Sequence, residues 1–244
     1  MKQKKVHKGG ESITALLFPR HCPVCDRLLA DDEPYLCRRC ASALVFVREP
    51  VCMKCGRPLD RESAELCDAC RRREHRFIRG FAPFLYRGAV QASVLRFKYG
   101  GRAEYAGFYA RAICTFGKEK LALWKPACVI PVPVHPLRYC TRGYNQAAVT
   151  AVEIARLLNI PECGNLVSRT RNTRPQKGLA PSDRRKNLSG AFHVPDGTVF
   201  PETVLLVDDI YTTGATMDEL TETVMAHGAK QVYFAAIAIA PGMT

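Results

Sequence analysis

Residues 204–216 constrain the fold more than any other stretch of the chain, and they read Val-Leu-Leu-Val-Asp-Asp-Ile-Tyr-Thr-Thr-Gly-Ala-Thr. The apolar run from Val204 to Val207 has no polar interruption, which predicts a strand buried on both faces of a parallel sheet. Asp208 and Asp209 follow at the expected carboxyl end of that strand, where open α/β sheets bind ligands. A helix is predicted next, from Met217 to His227.

The turn between the aspartates and this helix has the composition of an anion site, with Thr212, Thr213, Gly214 and Thr216. Backbone N–H groups of such a turn, with a helix N-terminus behind them, bind anions, and threonine hydroxyls add donors. Carboxylates for sugar hydroxyls beside donors for a phosphate fit a ribose 5-phosphate. The alternative is a plain strand, turn and helix with a threonine N-cap, which does not account for two adjacent acids ending a buried strand.

Eight of the twelve cysteines form four C-x-x-C pairs, each fifteen residues after the last. The pairs are Cys22 and Cys25, Cys37 and Cys40, Cys52 and Cys55, and Cys67 and Cys70. Two such turns complete a tetrahedral Cys₄ zinc site, so four pairs predict two structural zinc ions with no open position for catalysis.

The uniform spacing does not say which pairs share an ion. The segment Cys25-Asp-Arg-Leu-Leu resembles Cys55-Gly-Arg-Pro-Leu thirty residues later, so the repeat unit is two pairs long. This favours two consecutive sites, the first from Cys22 to Cys40 and the second from Cys52 to Cys70. A cross-braced arrangement and a metal-free redox function of the pairs are the alternatives.

The net charge of +13 predicts an anionic partner. The sequence shows neither a signal-peptide core nor a transmembrane segment, so we expect a soluble cytoplasmic protein. Residues 1–15 are predicted to be a disordered tail, 16–76 a double zinc ribbon and 77–244 an α/β domain. The basic run between the two, Arg71 to Arg79, fits either a solvated linker or a nucleic-acid contact. His21 and His75, which flank the cysteines, fit surface histidines.

From Gly80 onward, strand and helix patterns alternate. Strands are predicted at Phe81–Tyr86, Ala127–Val132 and Gln231–Ala240 in addition to the one at 204, with a small extra strand near Phe192. Helices are predicted at Ala89–Phe97, at Tyr105–Phe116 and from Arg142–Gln146 to Leu158. This order predicts an α/β fold in which a parallel sheet is flanked by helices on both faces.

Arg138 and Arg142 lie between a predicted strand and a predicted helix, on a loop where guanidinium groups suit a pyrophosphate. Ordinary surface arginines are the alternative. Residues 165–191 are long, polar and irregular, with seven Lys or Arg against one Asp. Such a segment is a lid, a binding loop or disordered, and a lid would bring cations over a pyrophosphate and exclude water.

Several motifs together carry a family resemblance. They are residues 204–216, Pro131-Val-Pro-Val-His-Pro, Arg142-Gly-Tyr-Asn-Gln, Arg171-x-Thr173-x-x-Gln176-x-x-Leu179, Arg184-x-x-Asn187, Ala191-Phe192 and the N-terminal cysteine cluster. The first resembles the phosphoribosyl-pyrophosphate (PRPP) signature of type I phosphoribosyltransferases along its whole length. The set resembles the ComF family of competence proteins and their GntX-like relatives. Cys140 departs from the basic residue that relatives often carry there.

The resemblance implies a type I phosphoribosyltransferase-like domain that binds PRPP with Mg²⁺. It implies that Asp208 and Asp209 hold the ribose hydroxyls and act as the catalytic pair. The residues implied to bind PRPP are Asp208, Asp209, Ile210, Tyr211, Thr212, Thr213, Gly214, Ala215, Thr216, Arg138, Arg142 and Arg171. The implied partners are PRPP, single-stranded DNA and a competence helicase or other DNA-processing proteins.

Three functional hypotheses follow. The first is a phosphoribosyltransferase with an unknown acceptor, because no segment resembles the hood that reads a nucleobase. The second is a PRPP sensor without turnover. The third is a DNA-handling protein that acts in internalisation or use of external single-stranded DNA. We rank a PRPP-binding protein that acts in DNA uptake or use first, with turnover open.

Overall fold

The computed structural model describes residues 20–170 and 190–242. Its main sheet is parallel, with strand order β1-β7-β6-β3 and β2 also paired with β7. The strands of the described chain are β1 (Gly80–Phe81), β2 (Phe84–Leu85), β3 (Cys128–Pro131), β4 (Ser168–Arg169), β5 (Phe192–His193), β6 (Thr203–Tyr211) and β7 (Gln231–Ile239). Strands β4 and β5 form a separate antiparallel pair.

Strand β6 is central because it pairs with β3 on one side and with β7 on the other. Its register with β3 ends at Pro131 opposite Val207, whereas its register with β7 continues to Tyr211 opposite Ile239. The predicted strand end at Val207 is therefore wrong for the β7 side. On the β3 side, the pairing with β6 does end at Val207, since Pro133 has no N–H with which to extend the hydrogen-bond ladder.

The α-helices of the described chain are α1 (Asp68–Arg72), α2 (Gly88–Tyr99), α3 (Ala106–Phe116), α4 (Lys118–Trp124), α5 (Pro136–Arg142), α6 (Gln146–Leu158) and α7 (Ala215–Met225). Helix α7 starts two residues before the predicted Met217, because Gly214 at φ +80° already ends the turn. The predicted strand Phe81–Tyr86 is interrupted around Pro83 into β1 and β2. Helix α4 was not predicted, and α5 replaces a predicted loop.

The two faces of β6 are covered by different layers. Leu205 and Val207 point into a core with α2, α3, α4 and α6, which contains the single tryptophan, Trp124. Val204 and Leu206 point into a second core, whose other side is α7 together with the zinc-ribbon cysteines from Cys52 to Cys70. The fold class is thus confirmed as a parallel α/β sheet with an N-terminal cysteine module. No described helix is long and apolar enough to cross a membrane.

The two cysteine modules, here called the first ribbon (residues 22–40) and the second ribbon (residues 52–70), attach to the domain differently. In the first, Asp26 accepts hydrogen bonds from Arg102 and from the Tyr105 hydroxyl. In the second, the backbone of Lys54 accepts a hydrogen bond from Gly80 N, at the start of β1. The predicted boundary at residues 76 and 77 stays a prediction, and the predicted tail, 1–15, lies outside the described residues.

We predict that Gly56→Ala destabilises the protein by about 3 kcal/mol or more, because it combines strain with overpacking. Gly56 has φ +74°, and a Cβ there would lie 2.8 Å from Gly80 O and 2.9 Å from Phe81 Cα. Gly101→Ala is the matched control, since Gly101 has φ +67° with nothing within 4 Å of its Cβ position. It is expected to cost about 1 kcal/mol for the backbone strain alone. Urea unfolding at fixed zinc measures both, and equal losses would contradict the close packing of the second ribbon on β1.

Candidate functional site

The structure gathers the eight paired cysteines into two clusters in which the sulfurs lie within 4.8 Å of one another. The clusters are Cys22, Cys25, Cys37 and Cys40, and Cys52, Cys55, Cys67 and Cys70. These are the consecutive sets that the thirty-residue repeat favours. Four thiolate donors around one point fit a tetrahedral structural zinc, so each cluster would hold one ion with a closed coordination shell.

The backbone of the two ribbons repeats with the sequence. A bridge joins His21 to Leu28 in the first ribbon and Val51 to Pro58 in the second. The residue after each first C-x-x-C pair is left-handed, Asp26 at φ 62° and Gly56 at φ 74°. The four remaining cysteines, Cys114, Cys128, Cys140 and Cys163, belong to neither cluster.

Asp208 and Asp209 lie on opposite faces of β6, because side chains alternate along a strand. Asp209 faces the helical layer, where its carboxylate pairs with Lys98 Nζ at 2.9 Å, and both side chains are only 14% exposed. Asp208 faces the other layer, and its Oδ1 accepts a hydrogen bond from Asp209 N at 2.8 Å. Lys98 was missed in the sequence, where it stands in a helix-stop motif, because only the packing of α2 on the sheet brings it to β6.

The Asp208 carboxyl has a perturbed acidity. Burial and the neighbouring charge of Asp209 raise the pKa of Asp208 to about 7, against the opposing effects of the Asp209 N–H, Lys98 and Arg169. Near neutral pH, Asp208 is therefore present in both its protonated and its charged form. A carboxyl shifted in this way at the open end of a strand is a typical functional-site feature.

Arginines approach the aspartates from the β3 and β4 side. Burial, and then the charge of nearby Arg142, lower the pKa of Arg138. Burial, and then Arg138, lower the pKa of Arg169, while Asp208 opposes that shift. The Arg142 guanidinium lies 5.1 Å above the ring of Tyr99 and donates to Gln146. The structure thus places Arg138 and Arg142 in one basic cluster near the two aspartates.

The turn of residues 212–216, hereafter the 212–216 turn, connects β6 to α7. The Thr213 hydroxyl is buried and has no hydrogen-bond partner among the described residues. Gly214 is closely surrounded, since a Cβ there would lie 2.6 Å from the Tyr211 hydroxyl and 2.7 Å from His75 Cε1. The Thr212 carbonyl accepts a hydrogen bond from Arg57 of the second ribbon.

The basic run between the ribbons and the sheet docks on α7. His75 is buried, with its Nδ1 3.0 Å from Asp218 Oδ2, and stacks on Phe77. Arg73 also pairs with Asp218, and Arg76 pairs with Glu222. The expectation of a surface histidine is therefore wrong for His75, while His21 is partly buried beside Glu104. Residues 73–77, here called the strap, therefore pack on α7 through Arg73 and His75. Arg71, Arg72, Arg76 and Arg79 stay exposed, so the nucleic-acid contact of the basic run stays a prediction.

The remaining residues implied to bind PRPP lie mainly at the end of β6 and the start of α7. Ile210 and Tyr211 complete β6, and Ala215 and Thr216 open α7. Arg171 lies outside the described residues, as does most of the predicted 165–191 loop. Sequence reasoning missed Lys98 and Arg57. For Arg57 the repeat offered a signal, because Ser63 stands in the second ribbon where the first ribbon has the acidic residue Glu33.

Comparison with known proteins supports the double zinc ribbon and shows relatives over most of the chain. Residues 13–71 match the double zinc ribbon domain family. Competence protein F of Haemophilus influenzae is 32% identical over 188 residues, covering 75% of this chain and 82% of that protein. The DNA utilization protein YhgH of Salmonella typhimurium is 28% identical over 89% of this chain and 96% of that one. Competence protein ComFC of Streptococcus pneumoniae is 29% identical over 84% and 88%.

Among solved structures, a purine phosphoribosyltransferase from Pyrococcus horikoshii is similar, at 22% identity and a TM-score of 0.36, over 54% of this chain and 74% of that one. Fold and site define a protein that joins a parallel α/β sheet with an acidic strand end to a double zinc ribbon. The sequence identity with competence protein F over most of both chains shows which family this is. The chain belongs to the ComF family.

We predict that the two zinc sites differ in their effect on the sheet. Cys52→Ser is expected to lower the melting temperature followed by Trp124 fluorescence by more than about 5 °C, because the second cluster belongs to a core of the sheet. Cys22→Ser, the matched variant of the first ribbon, is expected to leave this transition within about 2 °C, since its cysteines form a separate cluster. Each variant should lose one equivalent of zinc by elemental analysis. Equal shifts would contradict the assignment.

We predict that Asp208→Asn stabilises the ligand-free protein at pH 8 by about 2 to 4 kcal/mol. The folded pKa of about 7 lies above the ordinary value of 3.8, so stability falls as the pH rises between these two values. The gain should be fully present above about pH 7 and should vanish near pH 4. Urea unfolding followed by Trp124 fluorescence measures it, with the exposed Asp196→Asn as the control. A gain that does not change with pH would refute the burial of the Asp208 charge.

Proposed function

We propose that the protein binds PRPP at the end of β6. The observation that carries this proposal is the sequence of groups along one short segment. Two half-buried carboxylates, Asp208 and Asp209, stand directly before a turn whose Thr213 hydroxyl is buried with no partner in the described chain. A phosphate oxygen would satisfy this hydroxyl, and the N-terminus of the eleven-residue helix α7 lies behind the turn.

In this proposal the two ends of PRPP bind to different groups. Asp208 and Asp209 accept hydrogen bonds from the ribose hydroxyls, while residues 212–216 donate to the 5-phosphate. Ile210 and Tyr211 hold the turn to the sheet. Arg138, Arg142 and Arg171 surround the pyrophosphate, together with Arg169. Lys98, which pairs with Asp209 in the ligand-free chain, is placed to exchange that carboxylate for a pyrophosphate oxygen when the ribose binds.

We propose that Mg²⁺ accompanies the ligand. Carboxylate oxygens and phosphate oxygens are the ligands that this ion prefers, and Asp208 and Asp209 offer the former. The ion would neutralise charge on the pyrophosphate. The chain's own cations would contribute to the same end, because Arg138 and Arg142 lie on the side of the site from which β3 has departed.

We further propose that the PRPP site acts in uptake or use of external single-stranded DNA in the cytoplasm. The names of relatives, competence protein F and DNA utilization protein YhgH, support this role. The net charge of +13 suits a polyanion, and such binding would weaken steeply with salt. A helicase or another DNA-processing protein would then be a partner. An affinity for single-stranded DNA that does not change with salt concentration, or no binding of single-stranded DNA at low salt, would contradict this part of the proposal.

Turnover is a separate question with its own measurement. A transferase would displace pyrophosphate from the anomeric carbon, with Asp208 and Asp209 near the developing positive charge. Pyrophosphate release that depends on both aspartates, in the presence of nucleobase, amine or nucleic-acid acceptors, would establish a transferase. Tight binding of PRPP without consumption in all of these mixtures would establish a sensor.

Calorimetry with Mg²⁺ and PRPP tests the ligand and the site. We expect saturable binding to the wild type and a loss of at least about tenfold in affinity for Asp208→Asn and for Asp209→Asn, since each variant removes a charged hydrogen-bond acceptor. The titration is repeated with single-stranded DNA to detect coupling between the two ligands.

Asp196→Asn serves as the control for the net charge, because Asp196 is exposed and lies outside β6 in the chain. Asp208→Asn is expected to be more stable than the wild type at pH 8, so weaker binding by this variant could not be ascribed to unfolding. No heat of binding to the wild type, or unchanged affinity in both variants, would refute the proposed site.

A further inference from the structure

The two ribbons repeat one arginine and give it different partners. Arg27 and Arg57 each stand two residues after a C-x-x-C pair and thirty residues apart. Arg27 stays within its own ribbon, where it pairs with Glu33 at 2.7 Å. The position that corresponds to Glu33 in the second ribbon is Ser63, which carries no charge. The position equivalent to Glu33 therefore offers Arg57 no carboxylate partner.

Arg57 instead leaves its ribbon and reaches the 212–216 turn. Its guanidinium donates a hydrogen bond to the carbonyl oxygen of Thr212, 155 residues away in the chain, and the residue is only 8% exposed. A buried, charge-assisted hydrogen bond is stronger and more directional than a solvent-exposed one. Its acceptor is a backbone carbonyl in the segment proposed to hold the 5-phosphate, so the bond fixes backbone and not a mobile side chain.

The orientation of one peptide plane follows from this bond. The described part of the chain has a cis peptide only at Glu49-Pro50, so the bond between Thr212 and Thr213 is trans. In a trans peptide, the carbonyl and the N–H point in opposite directions. With the Thr212 carbonyl held toward Arg57, the Thr213 N–H faces away from the second ribbon. A donor on the carbonyl also polarises the peptide, which strengthens its N–H as a donor.

We propose that Arg57 is a positioning residue for the phosphate end of the site: by holding the Thr212 carbonyl, it presents the Thr213 N–H to the ligand phosphate. This inference rests on the proposed function for the identity of the ligand, although the hydrogen bond itself exists without one. The second ribbon then contributes to ligand binding through its own side chain. The first ribbon, whose Arg27 is engaged by Glu33, makes no such contribution.

His75 supports the same segment from its other side. Its ring lies against Gly214, where a Cβ would come within 2.7 Å of Cε1, and Asp218 holds its Nδ1. The 212–216 turn is thus held between Arg57 and the strap that follows the second ribbon. Because Asp218 lies in the first turn of α7, the strap also fixes where the helix begins.

The test compares Arg57→Met with Arg27→Met, two substitutions of similar size at equivalent positions of the repeat. Two measurements are made on the full chain. The first is hydrogen exchange of the peptide that covers 212–216 in the ligand-free protein, and the second is the affinity for PRPP with Mg²⁺. We expect Arg57→Met to exchange this peptide at least about tenfold faster and to bind PRPP at least about tenfold more weakly, the effect of losing one charge-assisted hydrogen bond.

Arg27→Met should match the wild type in both measurements. Zinc content shows whether each ribbon is intact, and Arg57→Lys, which keeps a cationic donor, should restore part of the exchange protection and of the affinity. Unchanged exchange in Arg57→Met with zinc retained would overturn the proposal, as would equal losses in Arg27→Met. If the wild type did not bind PRPP, the proposed function would fail, whereas the exchange comparison would still decide whether Arg57 fixes the turn.

Discussion

The structure depends on the burial of β6 between two parallel neighbours and two packed layers. Val204 to Val207 have no exposed surface, so no charge can be placed along this part of the strand. Polar side chains can be accommodated on β6 only where β3 turns away, and Asp208 is the first residue beyond that point. The pairing with β7 nevertheless continues to Tyr211, which keeps the two carboxylates on a rigid strand. A functional group on a strand is held more precisely than one on a loop.

One face of this sheet is covered by the second cysteine ribbon as well as by a helix. Helix α7 covers part of the face, and the second ribbon covers the remainder with its cysteines, next to Phe77, Tyr211 and Phe234. A cluster of four thiolates needs an ion to be stable in such surroundings, so zinc and the apolar core support each other. Gly56 is the residue that permits this approach, because any side chain there would meet the backbone of β1. The first ribbon is joined instead by polar contacts of Asp26.

The two aspartates at the end of β6 have different electrostatic surroundings. Asp209 is matched by Lys98, whereas burial and the charge of Asp209 raise the pKa of Asp208. Such an arrangement costs stability in the ligand-free state, a cost that is common at binding sites. The same region collects Arg138 and Arg142, which suits a ligand that has hydroxyls at one end and several phosphate charges at the other.

Local patterns in the sequence determined the strand of residues 204–207, the turn that follows the two aspartates and the cysteine pairs. An uninterrupted apolar run predicts a buried strand, a glycine among hydroxyl residues predicts a turn, and a C-x-x-C pair directs two sulfurs at one ion. The thirty-residue repeat also favoured the consecutive pairing of the cysteines that the structure displays. Tertiary structure alone decided that β6 runs on to Tyr211, that His75 is buried, and that Lys98 and Arg57 meet the site. The contacts of His75, Lys98 and Arg57 join residues more than a hundred positions apart, and periodicity and propensity carry no information about which distant surfaces will pack together.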